Sequence, residues 1–246
     1  MKILALDTAT RVAGAAIIYE AGILAESFLN TGKTHSQRLL SLINDMLSNA
    51  DLTLDEMDGF AVTVGPGSFT GVRIGIATVK GFAQVLQKPV TPIITLDALA
   101  QNAMGAHGYI CPILDARKNE VYTALYYHEK GIIRRLTEYE ALSPDVLLKD
   151  LKAKKEPVTF LGDAVFVYRQ LIEGYLGEWA LFPSLSQIHL RAAPVAFLGM
   201  EKILKGDVAG VNDIEPFYLR KSEAEVKWDQ AHEGGSCDGK DLPSSS

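Results

Sequence analysis

Cysteine is scarce in this chain of 246 residues, which contains only two. Cys111 lies in an apolar run and Cys237 in a polar one, so we expect no disulfide between them and no disulfide-stabilised secreted fold. No apolar run approaches the ~20 residues that span a bilayer. The apolar start at residues 1–7 is too short for the core of a signal peptide. We therefore expect a cytoplasmic protein without membrane attachment.

Positive charge is also in short supply. The 24 Lys and Arg residues are outnumbered by 30 Asp and Glu residues, which gives a net charge of −6 at pH 7. This balance argues against a chain that wraps nucleic acid by itself. The hydrophobic share of 48% is that of an ordinary globular protein, and the length suits one large domain or two small lobes.

Clustered metal ligands are missing too. The five histidines are scattered along the chain: His35, His107, His128, His189 and His232. Without a His-x-x-x-His pair or a Cys/His cluster, the sequence predicts no metal site. Ser68 lacks the Gly-x-Ser-x-Gly frame of a serine hydrolase. A nuclease of the ribonuclease H type is disfavoured, because it needs several converging carboxylates and only Asp7 is well placed.

The order of apolar and polar runs is repeated along the chain. In the first half we predict strands over 2–7, 12–20, 23–30, 59–64 and 89–95, and helices over 34–50, 68–86 and up to about 104. In the second half we predict strands over 109–114, 120–128, 132–138 and 157–161, a helix that starts at Ser143-Pro144, a helix after Gly162-Asp163 and a helix over 192–205. The spacing from Asp7 to Gly22 resembles that from Asp115 to Gly131.

This repetition predicts an α/β fold of two duplicated lobes, each a mixed β-sheet flanked by helices. Coincidence is the alternative, since strand-turn-strand patterns are common. We place the N-terminal lobe at 1–105, completed by part of 206–228, and the C-terminal lobe at 106–205. The polar tail 229–246 is predicted to be disordered.

The segment Gly65-Pro66-Gly67-Ser68-Phe69-Thr70-Gly71, called the glycine-rich turn below, joins a predicted buried strand to a helix. Free N–H groups at a helix N-terminus favour an anion, so the turn is a candidate phosphate site. It lacks the Gly-Lys-Ser/Thr of a P-loop, and a well-capped helix start is an equal alternative. The candidate nucleotide- or anion-binding residues are Asp7, Thr8, Gly65, Gly67, Ser68, Thr70 and Arg73.

Two predicted helices carry candidate partner-binding faces. Their residues are Leu39, Ile43 and Met46 in the first, and Gly71, Gly75, Thr78 and Phe82 in the second. A mid-helix glycine costs about 1 kcal/mol relative to alanine, and small residues on one stripe allow a close helix approach. Packing on the chain's own sheet is the alternative. If a partner helix packs there, a bulky residue at Gly75 abolishes association without unfolding the chain.

Asp7 and Asp115 each end the first strand of a lobe, where two carboxylates across a cleft could hold a Mg²⁺–nucleotide. The alternative is that each carboxylate accepts hydrogen bonds from its own turn. For Asp115 we favour the alternative, because Arg117 and Glu120 lie close enough for a local ion-pair cluster. For Asp7 both interpretations stay open.

Five segments together resemble the TsaB (YeaZ) family over about residues 1–228. They are Leu6-Asp7-Thr8-Ala9-Thr10, His35-Ser36, the glycine-rich turn extended through Val72-Arg73-Ile74-Gly75, Asp115-Ala116-Arg117-x-x-Glu120-Val121-Tyr122, and Tyr218-Leu219-Arg220. The extended glycine segment is highly specific. The other segments are weak on their own, but they occur in order and at fitting distances.

The resemblance implies ribonuclease-H-like lobes of the actin/Hsp70/sugar-kinase type. It also implies a role in forming N6-threonylcarbamoyladenosine (t6A) at position 37 of tRNAs that read codons beginning with adenine. A TsaD-type transferase would move the threonylcarbamoyl group from threonylcarbamoyl-AMP to tRNA, together with a TsaE-type ATPase. The chain would have no catalytic activity or intrinsic cofactor of its own, although ATP or ADP could bind at the complex interface. It would pair with TsaD through the first two helices, form a homodimer when alone, and meet tRNA indirectly.

The resemblance also separates this chain from the transferase. TsaD-type proteins carry a metal-binding His pair after the strand that follows the glycine helix, and residues 94–100 contain no histidine. Thr95-Leu96-Asp97 stands where a serine pair is common in the TsaB family. An ATPase or small-molecule kinase with Asp7 and the glycine-rich turn at the phosphates is the alternative function. A metal-dependent peptidase is disfavoured by the missing His pair.

Overall fold

The computed structural model describes residues 1–31 and 35–220, without the side chains of residues 35 and 36, and its elements follow largely the predicted order. The strands are β1 (Ile3–Asp7), β2 (Ala13–Tyr19), β3 (Gly22–Leu29), β4 (Gly59–Gly65), β5 (Val90–Ile94), β6 (Gly108–Asp115), β7 (Val121–Thr123), β8 (Tyr126–Glu129), β9 (Ile132–Arg135), β10 (Glu140–Leu142), β11 (Val158–Leu161) and β12 (Ala180–Leu181). The helices are α1 (His35–Asn49), α2 (Phe69–Leu86), α3 (Thr95–Gln101), α4 (Pro144–Lys154), α5 (Val165–Leu176), α6 (Leu185–Ile188) and α7 (Ala192–Leu204).

Two predictions concern residues that the structure does not describe. Thr34, the predicted start of the first helix, and the tail 229–246, predicted to be disordered, both lie outside the described residues. Within the described residues, no helix has the length and apolar character needed to cross a membrane.

The first sheet has the strand order β3-β2-β1-β4-β5. β1 is antiparallel to β2 and parallel to β4, so it lies in the middle of the sheet. Its side chains alternate between two cores: Ile3 and Ala5 face α7 in the core between the sheets, whereas Leu4 and Leu6 face α1 and α2. Because both faces are covered, β1 reads as a continuous apolar run rather than an alternating one.

The second sheet repeats this arrangement in the order β10-β7-β6-β11-β12, with the β8–β9 hairpin also paired to β6. This confirms the two-lobed α/β fold. The predicted strand 120–128 is observed as β7 and β8, which keep one register against β6: Thr123 pairs with Ile113 and Tyr126 with Ile110. The gap lies opposite Pro112, which has no N–H to donate to a ladder.

The helices and sheets stack in five layers. α1 and α2 cover the outer face of the first sheet, and α4 and α5 cover the outer face of the second. Between the sheets, α3 and α7 pack in a core shared by both lobes.

The position of α7 corrects the predicted lobe boundaries. We assigned residues 192–205 to the C-terminal lobe, but α7 packs on the first sheet. A Cβ on Gly199 would overlap the side chain of Ala61 in β4, and Gly14 of β2 lies against Ala192. The chain therefore returns to the N-terminal lobe at about Ala192. After residue 205, Ala209 forms an isolated antiparallel bridge with Val90 of β5.

The Cys111 thiol gives a test of this core. Cys111 is fully buried in β6, and burial raises the pKa of its thiol to about 12. Because only the thiolate attacks disulfide reagents, Cys111 is expected to be inert in the native protein at mildly alkaline pH. In a Cys237→Ala variant, titration with a chromogenic disulfide should find no reactive thiol until guanidinium chloride unfolds the chain. Rapid labelling of the folded variant would contradict this packing.

Candidate functional site

The glycine-rich turn is in contact with two other segments of the chain. The φ angle of Gly65 is 114°, and a Cβ there would lie 2.5 Å from the carbonyl oxygen of Phe217. A Cβ on Gly67 would overlap the carbonyl of Ala9, which accepts a hydrogen bond from the Ser68 amide at 2.6 Å. The turn needs both glycines because other backbone lies directly against it.

The first turn of α2 combines a helix cap with an aromatic contact. Ser68 caps the helix, since its Oγ accepts a hydrogen bond from the Gly71 amide at 3.2 Å. Arg73 is exposed on α2 and donates from Nε to the hydroxyl of Tyr218 at 2.8 Å. The ring centroids of Phe69 and Tyr218 are 4.5 Å apart. Arg73, a predicted anion ligand, is therefore held by the chain's own C-terminal part.

Residues 214–220, called the C-terminal strap below, run over the turn and join the lobes. The Phe217 amide donates to the carbonyl of Val64 at 2.7 Å, and its ring packs edge-on against Tyr139 at 5.5 Å. Arg220 forms an ion pair of 2.7 Å with Glu120 in the second lobe. The segment Tyr218-Leu219-Arg220 belongs to the family resemblance, but the sequence analysis predicted no structural role for it.

Asp7 and Thr8 are fully buried behind the turn. Asp7 Oδ1 accepts hydrogen bonds from the Ala9 amide at 3.0 Å and from the Thr63 hydroxyl at 2.8 Å. The Thr8 hydroxyl donates to the carbonyl of Gly71 at 2.7 Å. Asp7, Thr8 and the glycine-rich turn thus lie together, whereas Thr70 and Arg73 lie on the exposed side of α2. Anion binding by this set stays a prediction.

The corresponding turn of the second lobe contains the predicted Asp115 cluster. Asp115 Oδ1 accepts a hydrogen bond from the Arg117 amide at 2.8 Å, as the local-turn alternative predicts. Glu120, however, forms its ion pair with Arg220 of the strap. The three residues from Arg117 to Asn119 have φ angles of 59°, 50° and 59°, an unusual run of left-handed backbone.

Asp163 belongs to the same cluster and was not predicted as a site residue. Its Oδ1 accepts a hydrogen bond from the Asp115 amide at 3.0 Å. Burial raises the pKa of the Asp163 carboxyl, and the hydrogen bond from the Asp115 amide offsets part of that rise. The sequence could have indicated Asp163 by its position: it comes directly after the end of β11, and Asp115 is the last residue of β6.

The predicted partner-binding residues are mostly inside the first lobe. Leu39, Ile43 and Met46 are at most 3% exposed and form the core beneath α1. Gly71 and Gly75 are buried, and a Cβ on Gly75 would overlap the Thr8 hydroxyl. This corrects the residue assignment: the stripe packs on the chain's own sheet, which was the alternative. Thr78 and Phe82 are half-buried, and Phe82 contacts the ring of Phe60 at 5.9 Å.

The outer faces of the same two helices carry a different set of residues. On α1, Leu40 is 60% exposed. On α2, Ala77, Gly81 and Val85 follow one another at four-residue spacing and are exposed, Val85 by 80%. Residues four apart lie on one face of a helix. Whether either helix contacts a partner stays a prediction, and these four residues are small or apolar ones that the two helices expose for it.

Asp97 is a further residue whose role the sequence did not reveal. It lies in the histidine-free stretch 94–100 and accepts hydrogen bonds from the hydroxyls of Tyr126 at 2.6 Å and Tyr139 at 2.7 Å. Across the described ranges 1–31 and 35–220, no three His, Cys, Asp or Glu side chains are grouped so that they could hold a metal ion.

Comparisons with known proteins agree with this architecture. A family model described as TsaD, tRNA N6-adenosine threonylcarbamoyltransferase, matches residues 22–228. The tRNA threonylcarbamoyladenosine biosynthesis protein TsaB of Bacillus subtilis is 36% identical over 228 residues, which are 93% of this chain and 98% of the relative. The protein of the same description from Haemophilus influenzae is 32% identical, over 93% of this chain and 96% of its own length.

A solved structure extends the agreement to the fold. A Pseudomonas aeruginosa protein described as similar to peptidase YeaZ superposes with a TM-score of 0.76 at 30% identity, over 89% of this chain and 99% of that one. The described residues form the two-lobed α/β fold that the resemblance implied, with two mixed sheets flanked by helices.

Two helical glycines of α2 test the corrected assignment. Gly75→Ala should lower the free energy of unfolding by about 1–3 kcal/mol, because the added methyl overlaps Thr8 in a packed core. Gly81→Ala is the matched control. It has nothing within 4 Å and should raise stability by up to about 1 kcal/mol through helix propensity. Guanidinium chloride unfolding measures both, and equal effects would mean that Gly75 does not face the sheet.

Proposed function

This chain belongs to the TsaB family, and we propose that it is an accessory subunit for t6A formation at position 37 of tRNAs that read codons beginning with adenine. In this proposal, a TsaD-type transferase moves the threonylcarbamoyl group from threonylcarbamoyl-AMP to tRNA together with a TsaE-type ATPase. This chain binds the transferase and has no catalytic activity of its own. It meets tRNA only through the complex, and any ATP or ADP binds at the complex interface.

One observation supports the accessory role: other segments of the same chain lie directly against the glycine-rich turn. A strand, turn and helix in this order can hold a phosphate with backbone N–H groups. Here the carbonyls of Ala9 and Phe217 lie against the turn, and Tyr218 lies beside Phe69 at the helix start. A turn in close contact with its own chain favours a role in positioning α2 over a role in phosphate chemistry.

The proposed partner surface is the outer face of α1 and α2. Ala77 and Gly81 have small side chains, which lets the backbone of a second helix approach closely. Leu40 of α1 and Val85 of α2 add exposed apolar surface, and removal of apolar surface from water by a partner is favourable. In the absence of TsaD, a second copy of this chain occupies the same surface and forms the homodimer.

Substitution of Gly81 tests this surface. A Gly81→Arg change places a long charged side chain in the proposed helix contact. It should weaken binding to the TsaD-type transferase at least tenfold, because a buried unpaired charge costs several kcal/mol. It should also reduce t6A formation in a reconstitution with the transferase, the ATPase and the adenylate-forming enzyme. Gel filtration measures association, and mass spectrometry of digested tRNA measures modification.

Gly174→Arg on α5 is the matched control for that experiment. Gly174 is also an exposed helical glycine with nothing within 4 Å, but it lies on the second lobe. It should leave binding and modification unchanged. If Gly81→Arg and Gly174→Arg had equal effects on binding and on t6A formation, the proposed partner surface would be wrong. Full t6A formation without this chain would refute the accessory role, and ATP turnover by the chain alone would favour the kinase or ATPase alternative.

A further inference from the structure

A cavity of about 440 Å³ lies where the two lobes meet. Its walls come from the end of β5 and the start of α3 in the first lobe, from β8 and β9 in the second, and from the last turns of α7. Phe217 separates it from the glycine-rich turn: its backbone contacts Gly65, and its ring contacts Tyr139 of the cavity wall. Small-molecule sites have volumes of about 300–1,000 Å³.

Asp97 supplies a fixed acceptor in the cavity wall. Its two carboxylate oxygens each accept one phenol proton, from Tyr126 and from Tyr139. Burial raises the pKa of both phenols, and the charge of Asp97 raises it further, so both keep their protons and donate. A carboxylate oxygen can accept a second hydrogen bond. Asp97 is therefore oriented by the two tyrosines and can still receive a donor from a ligand.

Arg135 and Lys202 supply the positive charge. The Arg135 guanidinium lies over the Tyr139 ring at 4.1 Å and bonds Thr137 and Glu138 through Nη1, which leaves Nε and Nη2 as donors. Lys202 Nζ lies 3.3 Å from the carbonyl of Pro92 and 3.6 Å from a carboxylate oxygen of Asp207. The ammonium group of lysine has three N–H donors, so beside these two contacts Lys202 can also donate to a ligand carboxylate.

The rest of the wall is mixed in character. Glu201 and Lys205 form an ion pair of 3.7 Å there, and the apolar side chains of Ile93, Ile133 and Leu198 lie beside them. The geometry points to a ligand with three parts: a carboxylate that binds Arg135 and Lys202, an N–H donor that binds Asp97, and a small apolar body between them. We propose that the cavity binds a small amino-acid-derived carboxylate, either a free amino acid or an N-acylated one. This proposal is independent of the accessory role, because it concerns the lobe interface and not the outer face of α1 and α2.

The test follows isoleucine methyl groups by NMR in the full-length chain. The probes are L-valine, N-acetyl-L-valine and, as a matched compound without the carboxylate, N-acetyl-L-valinamide. We expect saturable shifts of the Ile93 and Ile133 methyls with at least one carboxylate, and binding of the amide at least tenfold weaker. Ile172, in the core between the second sheet and α5, is the reference and should not shift. A response to L-valine alone identifies an ammonium donor, and a response to N-acetyl-L-valine identifies an amide donor.

Two variants localise the charge contacts. Arg135→Gln and Lys202→Gln should each weaken binding about tenfold or more, the loss expected for one charged hydrogen bond. Lys149→Gln, at an exposed position of α4, should leave binding unchanged. Thermal unfolding of each variant confirms that it is folded. The proposal is overturned if neither carboxylate shifts the methyls at about 10 mM, if the amide binds as well, or if neither charge variant weakens binding.

Discussion

The close contact between the end of β1 and the start of α2 is the constraint on which the rest of the structure depends. The Thr8 hydroxyl bonds the carbonyl of Gly71, and the glycine-rich turn bonds the carbonyl of Ala9. The segments come this close because Gly67 and Gly75 carry no Cβ. With one side of α2 fixed on the sheet, its opposite side is held rigidly at the surface.

Much of the fold could be predicted from the sequence, because strand and helix periodicity and turn residues act locally. The duplicated order of elements and the buried middle strands followed from these signals. The position of α7 did not, since a helix with apolar residues on most of its surface fits either sheet. Its position is decided by contacts such as that between Gly199 and Ala61, which are far apart in the sequence. The short gap between β7 and β8 could have been predicted, because Pro112 in the paired strand has no N–H to donate to the ladder.

The candidate site was harder to predict, for a physical reason. Helical spacing shows which residues share a face, but it does not show what the face contacts. Gly71 and Gly75 therefore fitted a partner helix and the chain's own sheet equally well. Asp97 shows the same limit, because its hydrogen-bond partners Tyr126 and Tyr139 are 29 and 42 residues further along the chain. Only the folded arrangement of the lobes brings these three side chains together.

The C-terminal strap has a consequence for any molecule that approaches the glycine-rich turn. The strap is covalently part of the chain, so it is an occupant that does not diffuse away. A segment tethered in this way competes with an effective concentration in the millimolar range, whatever the dilution of the protein. An outside anion that approached Gly65 from the side of the strap would have to displace the carbonyl of Phe217, and its apparent affinity would fall accordingly. Whether such an anion binds then depends on how well it competes with the strap of the same chain.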